Sequence, residues 1–289
     1  MFKTFSFRQL IILSIFLCLI LLFSTFLNII APAVITNAQG SVAVPIVMYH
    51  HICDRPSLWG DYVISSDDLE NDFIYFKEQG ITPISFAQLK NFVLTGEALP
   101  PKCIILTFDD GQKSFLTKAV PLLEKYSYPA NVNIVGSLTQ LYTQNGETND
   151  CYAYLNTEDV KYLNTHPLVE IGCHSFDFHT LGKRRGAARL RNESIDDYKN
   201  IILSDISLFN DFYHTATQDK TVIYAYPYGI RNDIILETLK EHNFTVTLTC
   251  REAVNHISQG AHLYELGRFN RPHGISSEQF FKKLFELPK

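Results

Sequence analysis

The sequence contains few of the residues that mark several protein classes. Of its 289 residues, 1 is tryptophan, 2 are methionine and 6 are cysteine. Lysine and arginine number 25 against 30 aspartates and glutamates, which gives a net charge of -5. Proteins that bind nucleic acid usually carry a basic excess, so this balance argues against a nucleic-acid partner. Internal repeats and low-complexity tracts are also lacking, and we predict a single domain over residues 41–289.

The cysteines do not form a recognisable framework. Cys18 lies inside an apolar segment, which leaves five in the rest of the chain. An odd number cannot be a complete set of disulfides, and no spacing resembles a zinc-cysteine site. Most of the five are typical of small buried hydrophobic residues. Cys53 and Cys151 are a conceivable pair, which the sequence alone does not establish.

Charged residues are absent from most of the N-terminal part. Lys3 and Arg8 precede a largely apolar stretch over residues 10–30, and the next charged residue is Asp54. Such a segment is either a secretory signal or a membrane anchor, and its length favours an anchor. The preceding positive charges predict a cytoplasmic N-terminus. We therefore expect residues 1–40 to be a signal peptide or anchor with a short linker. The remainder would be exported, either membrane-anchored facing outside the cytoplasm or secreted.

From Val44 onwards, short apolar runs alternate with longer amphipathic stretches, which predicts parallel β/α units. Seven or eight units in roughly 250 residues fit a closed barrel better than an open sheet. We predict an α/β fold, a single distorted (β/α) barrel of about seven units. The predicted strands cover residues 44–49, 81–85, 103–108, 130–135, 168–173, 221–226, 244–249 and 263–269. The predicted helices cover residues 67–79, 86–94, 114–125, 157–163, 195–212, 233–242 and 276–287, with a loop before residue 157.

Two adjacent carboxylates, Asp109 and Asp110, follow the apolar run at residues 103–108 and precede Gly111. Charges at the mouth of a buried strand are unfavourable unless they bind a cation or take part in chemistry. A single aspartate there is more often the N-cap of a helix. The pair, with histidines elsewhere in the chain, favours a functional site.

Other polar residues also fall where predicted strands end, which is where a β/α barrel gathers its functional groups. They are His50, His51, His174, His179, Tyr228 and Arg268. Carboxylates and imidazoles together form sites for a divalent metal with open coordination positions. A lone histidine on such a loop is more often structural, but several at successive strand ends favour a metal site.

Three motifs, in this order, resemble those of NodB-type polysaccharide deacetylases. They are Thr107–Gly111 (TFDDG), His174–His179 (HSFDFH) and Tyr226–Gly229 (YPYG). Residues 47–52 (VMYHHI) look like the opening strand of one exported branch of that family. The resemblance covers residues 44–289. It implies a distorted (β/α) barrel and a metal-dependent hydrolase of acetamides or acetyl esters on carbohydrate.

The resemblance also implies individual roles. Asp110, His174 and His179 would bind the metal, usually zinc in this family. Asp109 would be the general base, and the backbone N–H of Tyr228 would complete an oxyanion hole. These roles are chemically consistent, because a cation lowers the pKa of water and an unligated carboxylate within reach can take the proton.

The sequence departs from the family pattern in its supporting residues. His174 and His179 are five positions apart, whereas four is common. Ala225 replaces the arginine that usually orients the base, so Arg268 or Arg271 would have to substitute for it.

The proton donor is also open. The family's aspartate-tryptophan motif is missing, and the final motif with its catalytic histidine has no clean match. His273 is a candidate general acid, and His50 is the competing candidate.

From these motifs we expect an exported N-deacetylase that acts on N-acetylglucosamine units of a cell-envelope or extracellular polysaccharide. Its partners would be the acetylated polysaccharide and, if the N-terminal segment is uncleaved, the membrane. An O-acetyl esterase on a xylan-like polymer is a close alternative. A non-catalytic glycan-binding protein on a decayed deacetylase fold is another, motivated by Ala225 and the missing tryptophan motif. Against that last reading, a binding protein would have no need of Asp109 beside Asp110.

Overall fold

The computed structural model describes residues 40–286. The predicted signal or anchor therefore lies outside the described residues, apart from Gly40 at its end. Between residues 40 and 286, no helix is both long enough and apolar enough to cross a membrane.

The described chain alternates strands and helices, as the sequence predicts. The strands are β1 (Ser41–Val44), β2 (Ile46–Tyr49), β3 (His51–Ile52), β4 (Val63–Ile64), β5 (Thr82–Pro83), β6 (Cys103–Phe108), β7 (Ala130–Ile134), β8 (Val169–Cys173), β9 (Ile223–Ala225), β10 (Val246–Leu248), β11 (Asn255–Ser258), β12 (Leu263–Leu266) and β13 (Phe269–Asn270). The helices are α1 (Ser66–Gln79), α2 (Phe86–Thr95), α3 (Val120–Tyr126), α4 (Gly136–Asn145), α5 (Thr157–Asn164), α6 (Ile195–Thr217), α7 (Asp233–Glu241) and α8 (Ser277–Glu286).

A curled parallel sheet forms the centre of the fold, with strand order β12-β10-β9-β8-β7-β6-β2-β13. Its two outermost strands, β12 and β13, are consecutive in the chain and separated only by Gly267 and Arg268. The two edges of the sheet therefore lie near each other, although no ladder joins them among the paired strands of residues 40–286. The sheet is thus a barrel with one unpaired seam, which confirms the predicted distorted (β/α) barrel.

Buried side chains on the two faces of the sheet form two clusters. Ile104, Leu106 and Phe108 belong to the first, which packs under the surrounding helices. Cys103 and Ile105 belong to the second, together with residues of α2 and of the antiparallel pair β1 and β11. Because side chains alternate along a strand, Asp109 follows the second set and faces the interior of the barrel.

Two local features differ from the sequence prediction. Helix α4 occupies part of the predicted loop, and its start lacks a side-chain cap, so the usual start signal is missing. The predicted helix at residues 114–125 is instead a π-helical turn, Phe115–Ala119, followed by α3. Pro121 has no N–H to donate to the preceding turn, which explains the interruption.

A buried ion pair connects the segment after β13 and helix α8 to the barrel. Arg271 donates from Nε and Nη2 to Asp72 on α1, and both side chains are almost fully buried. The Tyr49 hydroxyl and the Ser277 hydroxyl donate to the same carboxylate. One carboxylate thus joins α1, β2, the segment after β13 and α8.

Candidate active site

The register of the sheet brings the predicted site residues together. Tyr49 pairs with Phe108, Ile134 with Cys173, and Cys173 with Tyr224. The residues that follow these strand ends therefore meet at one end of the barrel. They surround a cavity of about 530 Å³ lined by Met48, His50, Tyr62, Asp109, Asp110, His174, His179, Leu181, Arg185, Tyr228, Cys250 and Asn270.

A larger depression, about 600 Å³, lies between α4, α5 and α6. The group of possible metal ligands found among residues 40–286 lies outside it, at the strand ends. The chemistry therefore points to the cavity at the end of the barrel.

Asp109 is a buried carboxylate held by an arginine. It is 2% exposed, and Arg268 donates to its two oxygens from Nη1 and Nη2, each at 2.7 Å. Arg268 is 0% exposed and is itself fixed by Nε, which donates to the Thr249 carbonyl at 3.0 Å. Burial opposes ionisation of Asp109, but the guanidinium outweighs it and holds the pKa of the carboxyl well below its usual range. Asp109 is therefore anionic at neutral pH.

Arg268 thus contacts Asp109 in place of the arginine that the family usually has at position 225. Arg271 instead pairs with Asp72, away from the cavity.

A second group positions Asp109 from the neighbouring strand. Asn133 on β7 donates from Nδ2 to Oδ1 of Asp109 at 2.8 Å. The amide has room because residue 172 on β8 is glycine: a Cβ there would lie 2.0 Å from Oδ1 of Asn133. Asp109 is therefore positioned by two groups, Arg268 and Asn133, that lie outside the three motifs. The sequence signal that could have indicated Asn133 was the presence of polar residues at alternate positions of the buried strand β7.

Asp110 has a different environment from its neighbour. Its Oδ1 is buried and accepts no hydrogen bond from the described residues. Nε2 of His179 lies 3.1 Å away and Nε2 of His174 lies 3.5 Å away, but neither approach has hydrogen-bond geometry. Buried polar atoms normally have a partner, so this oxygen is suited to bind a cation.

The three side chains fit a divalent metal. One ligand atom from each of Asp110, His174 and His179 lies within 4.8 Å of the others. Tetrahedral ligands at about 2.0–2.1 Å from zinc are roughly 3.3 Å apart, a value between the two separations from Asp110. The structure thus brings together the whole predicted ligand set, with His179 included despite the longer histidine spacing.

The tautomer of His174 suits a metal ligand. Its Nδ1 lies 2.8 Å from the Ala225 carbonyl, and a carbonyl can only accept, so Nδ1 carries the proton. Nε2 is then left with a lone pair directed to the Asp110 side. Burial lowers the pKa of His174, which keeps the ring neutral, and the carboxylates only partly offset this. A backbone partner on the second nitrogen is the usual support of a metal-binding histidine.

The loop that carries His179 is anchored from α6. Asp205 accepts from the backbone N–H groups of Phe176 and Asp177 at 2.9 and 2.7 Å. Burial raises the pKa of Asp205 to about 6, although these donors oppose the shift. The ring of His179 also stacks on Tyr228, with centroids 4.9 Å apart and planes at 13°. Sequence reasoning missed Asp205, because nothing in an amphipathic helix marks which polar residue is turned inwards.

Three non-glycine residues around the cavity have a left-handed backbone: Asp110 (φ 72°), Ser175 (φ 70°) and Tyr228 (φ 56°). Such conformations are unfavourable by about 1 kcal/mol or more each and concentrate at functional sites. All three belong to the motifs singled out in the sequence.

The two candidate proton donors occupy different places. His50 lines the cavity, its Nδ1 is buried with no hydrogen-bond partner among residues 40–286, and its ring meets Tyr62 edge-on. Burial lowers the pKa of His50, partly offset by the nearby carboxylates. His273 is outside the cavity lining: its Nδ1 lies 2.7 Å from Asp68, and its ring packs on Trp59.

Comparison with known proteins identifies the family of the chain. The family model described as Polysaccharide deacetylase matches residues 96–247, just over half of the chain. The poly-β-1,6-N-acetyl-D-glucosamine N-deacetylase of Escherichia coli K12 is 25% identical over 240 residues, covering 76% of this chain and 35% of that protein. The chain thus spans about a third of the length of that relative. The enzyme of the same name from Staphylococcus aureus MSSA476 is 23% identical over 181 residues, covering 63% of this chain and 59% of that protein.

Solved structures share the fold. The Streptococcus pyogenes deacetylase PplD in complex with acetate has a TM-score of 0.68 at 21% identity and covers 84% of this chain and 99% of that one. A de-N-acetylase from Aggregatibacter actinomycetemcomitans has a TM-score of 0.71 at 22% identity, covering 83% and 99%. IcaB from Ammonifex degensii has a TM-score of 0.70 at 20% identity, covering 84% and 97%.

Proposed function

Because the chain belongs to the polysaccharide deacetylase family, we propose that it is a metal-dependent N-deacetylase of an acetylated polysaccharide. The observation that carries this proposal is the unequal pair at the end of β6. The anionic Asp109 is paired with Arg268, whereas the buried Oδ1 of Asp110 accepts no hydrogen bond from residues 40–286 and faces two imidazole nitrogens. The first arrangement suits a base and the second suits a metal ligand.

The substrate we propose contains N-acetylglucosamine units of a cell-envelope or extracellular polymer. Support comes from the names of the E. coli and S. aureus relatives, which specify a β-1,6-linked polymer of that sugar. The N-terminal stretch of the sequence supports export, and we propose that the enzyme works outside the cytoplasm, anchored or released.

Asp110, His174 and His179 would hold the metal, and we propose zinc, because two imidazoles and one carboxylate are a common catalytic zinc set. Such a cation supplies Lewis acidity, which polarises a carbonyl and lowers the pKa of water towards 7. Asp109 is anionic and lines the same cavity, so it can accept the proton of the water that attacks the acetamide carbon. A carboxylate with a depressed pKa is a weak base, so a cation that lowers the pKa of water would favour this proton transfer.

The remaining steps are a hydrogen bond to the carbonyl oxygen and a proton for the leaving nitrogen. Tyr228 lies in the turn Pro227–Gly229, where Pro227 has no N–H and the Gly229 N–H donates to the Tyr226 carbonyl, so the N–H of Tyr228 is our proposed donor to that oxygen. We assign His50 rather than His273 as the proton donor, because His50 lines the cavity and His273 is held by Asp68.

The test is acetate release by the purified full chain. The metal is first stripped with EDTA, and zinc is then restored. Substrates are oligomeric β-1,6-N-acetylglucosamine, peptidoglycan and acetylated xylan. We expect release from an amide substrate with zinc and none without it. Release from xylan alone would instead identify an O-acetyl esterase, and no release from any glycan with zinc bound would favour a binding protein.

Matched variants separate the roles. Asp109→Asn should keep zinc and glycan affinity while turnover falls by about 10²–10⁴-fold. His50→Ala should lose amide hydrolysis but retain activity on an activated aryl acetate, whose leaving group needs no proton. His273→Ala serves as the control and should behave like the parent on both substrates. Equal loss in the two histidine variants, or loss only in His273→Ala, would reject the assignment of His50.

A further inference from the structure

Two cysteines far apart in the sequence meet beside the active site. The sulfurs of Cys53 and Cys151 are 3.0 Å apart, although the two residues are separated by 98 positions in the sequence. Non-bonded heavy atoms normally approach to about 3.5–4.0 Å, and an S–S bond measures about 2.05 Å. The two thiols are therefore closer than a packing contact and need only a small movement to bond.

Other contacts hold the two segments in this position. Nζ of Lys118 lies 3.2 Å from Asp54 and 3.8 Å from Asp150, the residues beside the two cysteines. Nε2 of His51 lies 2.9 Å from the Asp150 carbonyl oxygen. Because three contacts already hold the two segments together, bond formation does not have to order either segment.

We propose that Cys53 and Cys151 form an intramolecular disulfide. Each thiol loses its proton and the two sulfurs share a new bond, which releases two protons and two electrons in total. The acceptor is an oxidant of the disulfide class, one of whose S–S bonds is reduced to two thiols. The inference does not depend on the deacetylase activity, because it rests only on the geometry of these segments.

The environment favours a structural bond over a catalytic redox pair. Redox-catalytic cysteines have a lowered pKa. Here the neighbouring thiol raises the pKa of Cys151 to about 11. Cys53 is 1% exposed, so a bond once formed would be shielded from reductants on that side.

The bond would clamp two walls of the cavity. The segment after Cys151 packs on the turn that follows the two site carboxylates: Leu155 N–H donates to the Gly111 carbonyl and Lys113 N–H to the Ala153 carbonyl, both at 2.8 Å. The segment after Cys53 leads to Tyr62, which lines the cavity.

The experiment compares the full chain after treatment with oxidised glutathione and after treatment with a phosphine reductant. Under denaturing conditions the reduced chain should show 6 thiols, the number of cysteines in the sequence, and the oxidised chain two fewer. Peptide mapping without reductant should recover a linked peptide containing Cys53 and Cys151. The melting temperature should be about 4–16 °C higher in the oxidised form, as for a disulfide closing a long loop in a domain of this size.

Variants make the assignment specific. Cys53→Ser, Cys151→Ser and the double variant should each lose the melting shift to the same extent, while Cys250→Ser should retain it. All thiols remaining after oxidation, a different linked pair, or an undiminished shift in Cys53→Ser would overturn the proposal. If the serine variants do not fold, the peptide map of the unsubstituted chain decides the question alone.

Discussion

Replacing Arg268 by methionine should remove the charge that stabilises the Asp109 carboxylate while leaving the rest of the fold in place. Methionine retains apolar volume in the seam, but Asp109 loses both guanidinium bonds and keeps only the amide of Asn133. Removing one partner of a buried ion pair leaves an uncompensated charge, which destabilises a protein by about 3–5 kcal/mol. In a domain of this size that corresponds to a fall in melting temperature of roughly 6–20 °C.

The free energy of unfolding of the Arg268→Met variant should depend on pH with a sign opposite to that of the parent chain. In the parent chain the folded pKa of Asp109 is depressed, so its stabilising contribution is present above about pH 3.9 and is lost as the pH falls through the folded value. Without Arg268, burial raises the folded pKa above the unfolded one. The folded variant then binds the proton more tightly, and its free energy of unfolding should decrease as the pH rises from about 4 to 7.

The assay is urea denaturation of the metal-free proteins at several pH values, combined with steady-state kinetics of the zinc forms. The double variant Arg268→Met with Asp109→Asn should recover most of the lost stability at pH 7, since no buried charge remains. Arg271→Met is the matched control, because Arg271 forms the second buried aspartate pair, away from the cavity. It should lose comparable stability but keep kcat, whereas Arg268→Met should lose about 10²-fold or more. Equal stabilities of the single and double variants, or equal kcat losses in the two arginine variants, would refute the reasoning.

Three further predictions concern the supports of the site. Gly172→Ala places a Cβ 2.0 Å from Oδ1 of Asn133, so the amide should move off Asp109 and kcat should fall about tenfold or more in steady-state assays. Asp205→Asn removes one acceptor from the loop that carries His179 and should weaken zinc binding about 10–100-fold in competition with a chelator. The folded pKa of Asp205 is raised to about 6. Its stabilising contribution should therefore be lost as the pH rises from about 4 to 6. Denaturation curves of the asparagine variant should lack this pH dependence. His179→Ala should reduce bound zinc from one equivalent towards none by elemental analysis, and a full equivalent would exclude His179 as a ligand.

The convergence of Asp110, His174 and His179 could be predicted from the sequence because these residues lie at strand ends within short motifs. The run at residues 103–108 matches β6 residue for residue, so the position of Asp109 and Asp110 follows from local pattern alone. His174 follows β8 in the same way. Parallel pairing then brings strand ends to one edge, which makes their convergence predictable from topology.

The supporting groups could not be predicted in the same way, since they depend on tertiary contacts between distant segments. Arg268 is 159 positions from Asp109. The sequence alone did not distinguish Arg268 from Arg271 as the residue that orients Asp109. Only the packing shows that one arginine pairs with Asp109 and the other with Asp72 on α1. Asp205 looks like any polar helix residue, and the choice between His50 and His273 needed the positions of both rings.

The unpaired seam between β12 and β13 has a consequence for how the molecule matures. The counter-ion of Asp109, Arg268, lies in that seam, so the carboxylate gains its buried partner only when residues 263–270 have joined the sheet. Assembly of the last strands and pairing of the proposed base are therefore one event. A chain whose barrel has not yet closed would lack the guanidinium that fixes Asp109. We therefore expect catalytic activity to require that the last strands of the barrel are in place.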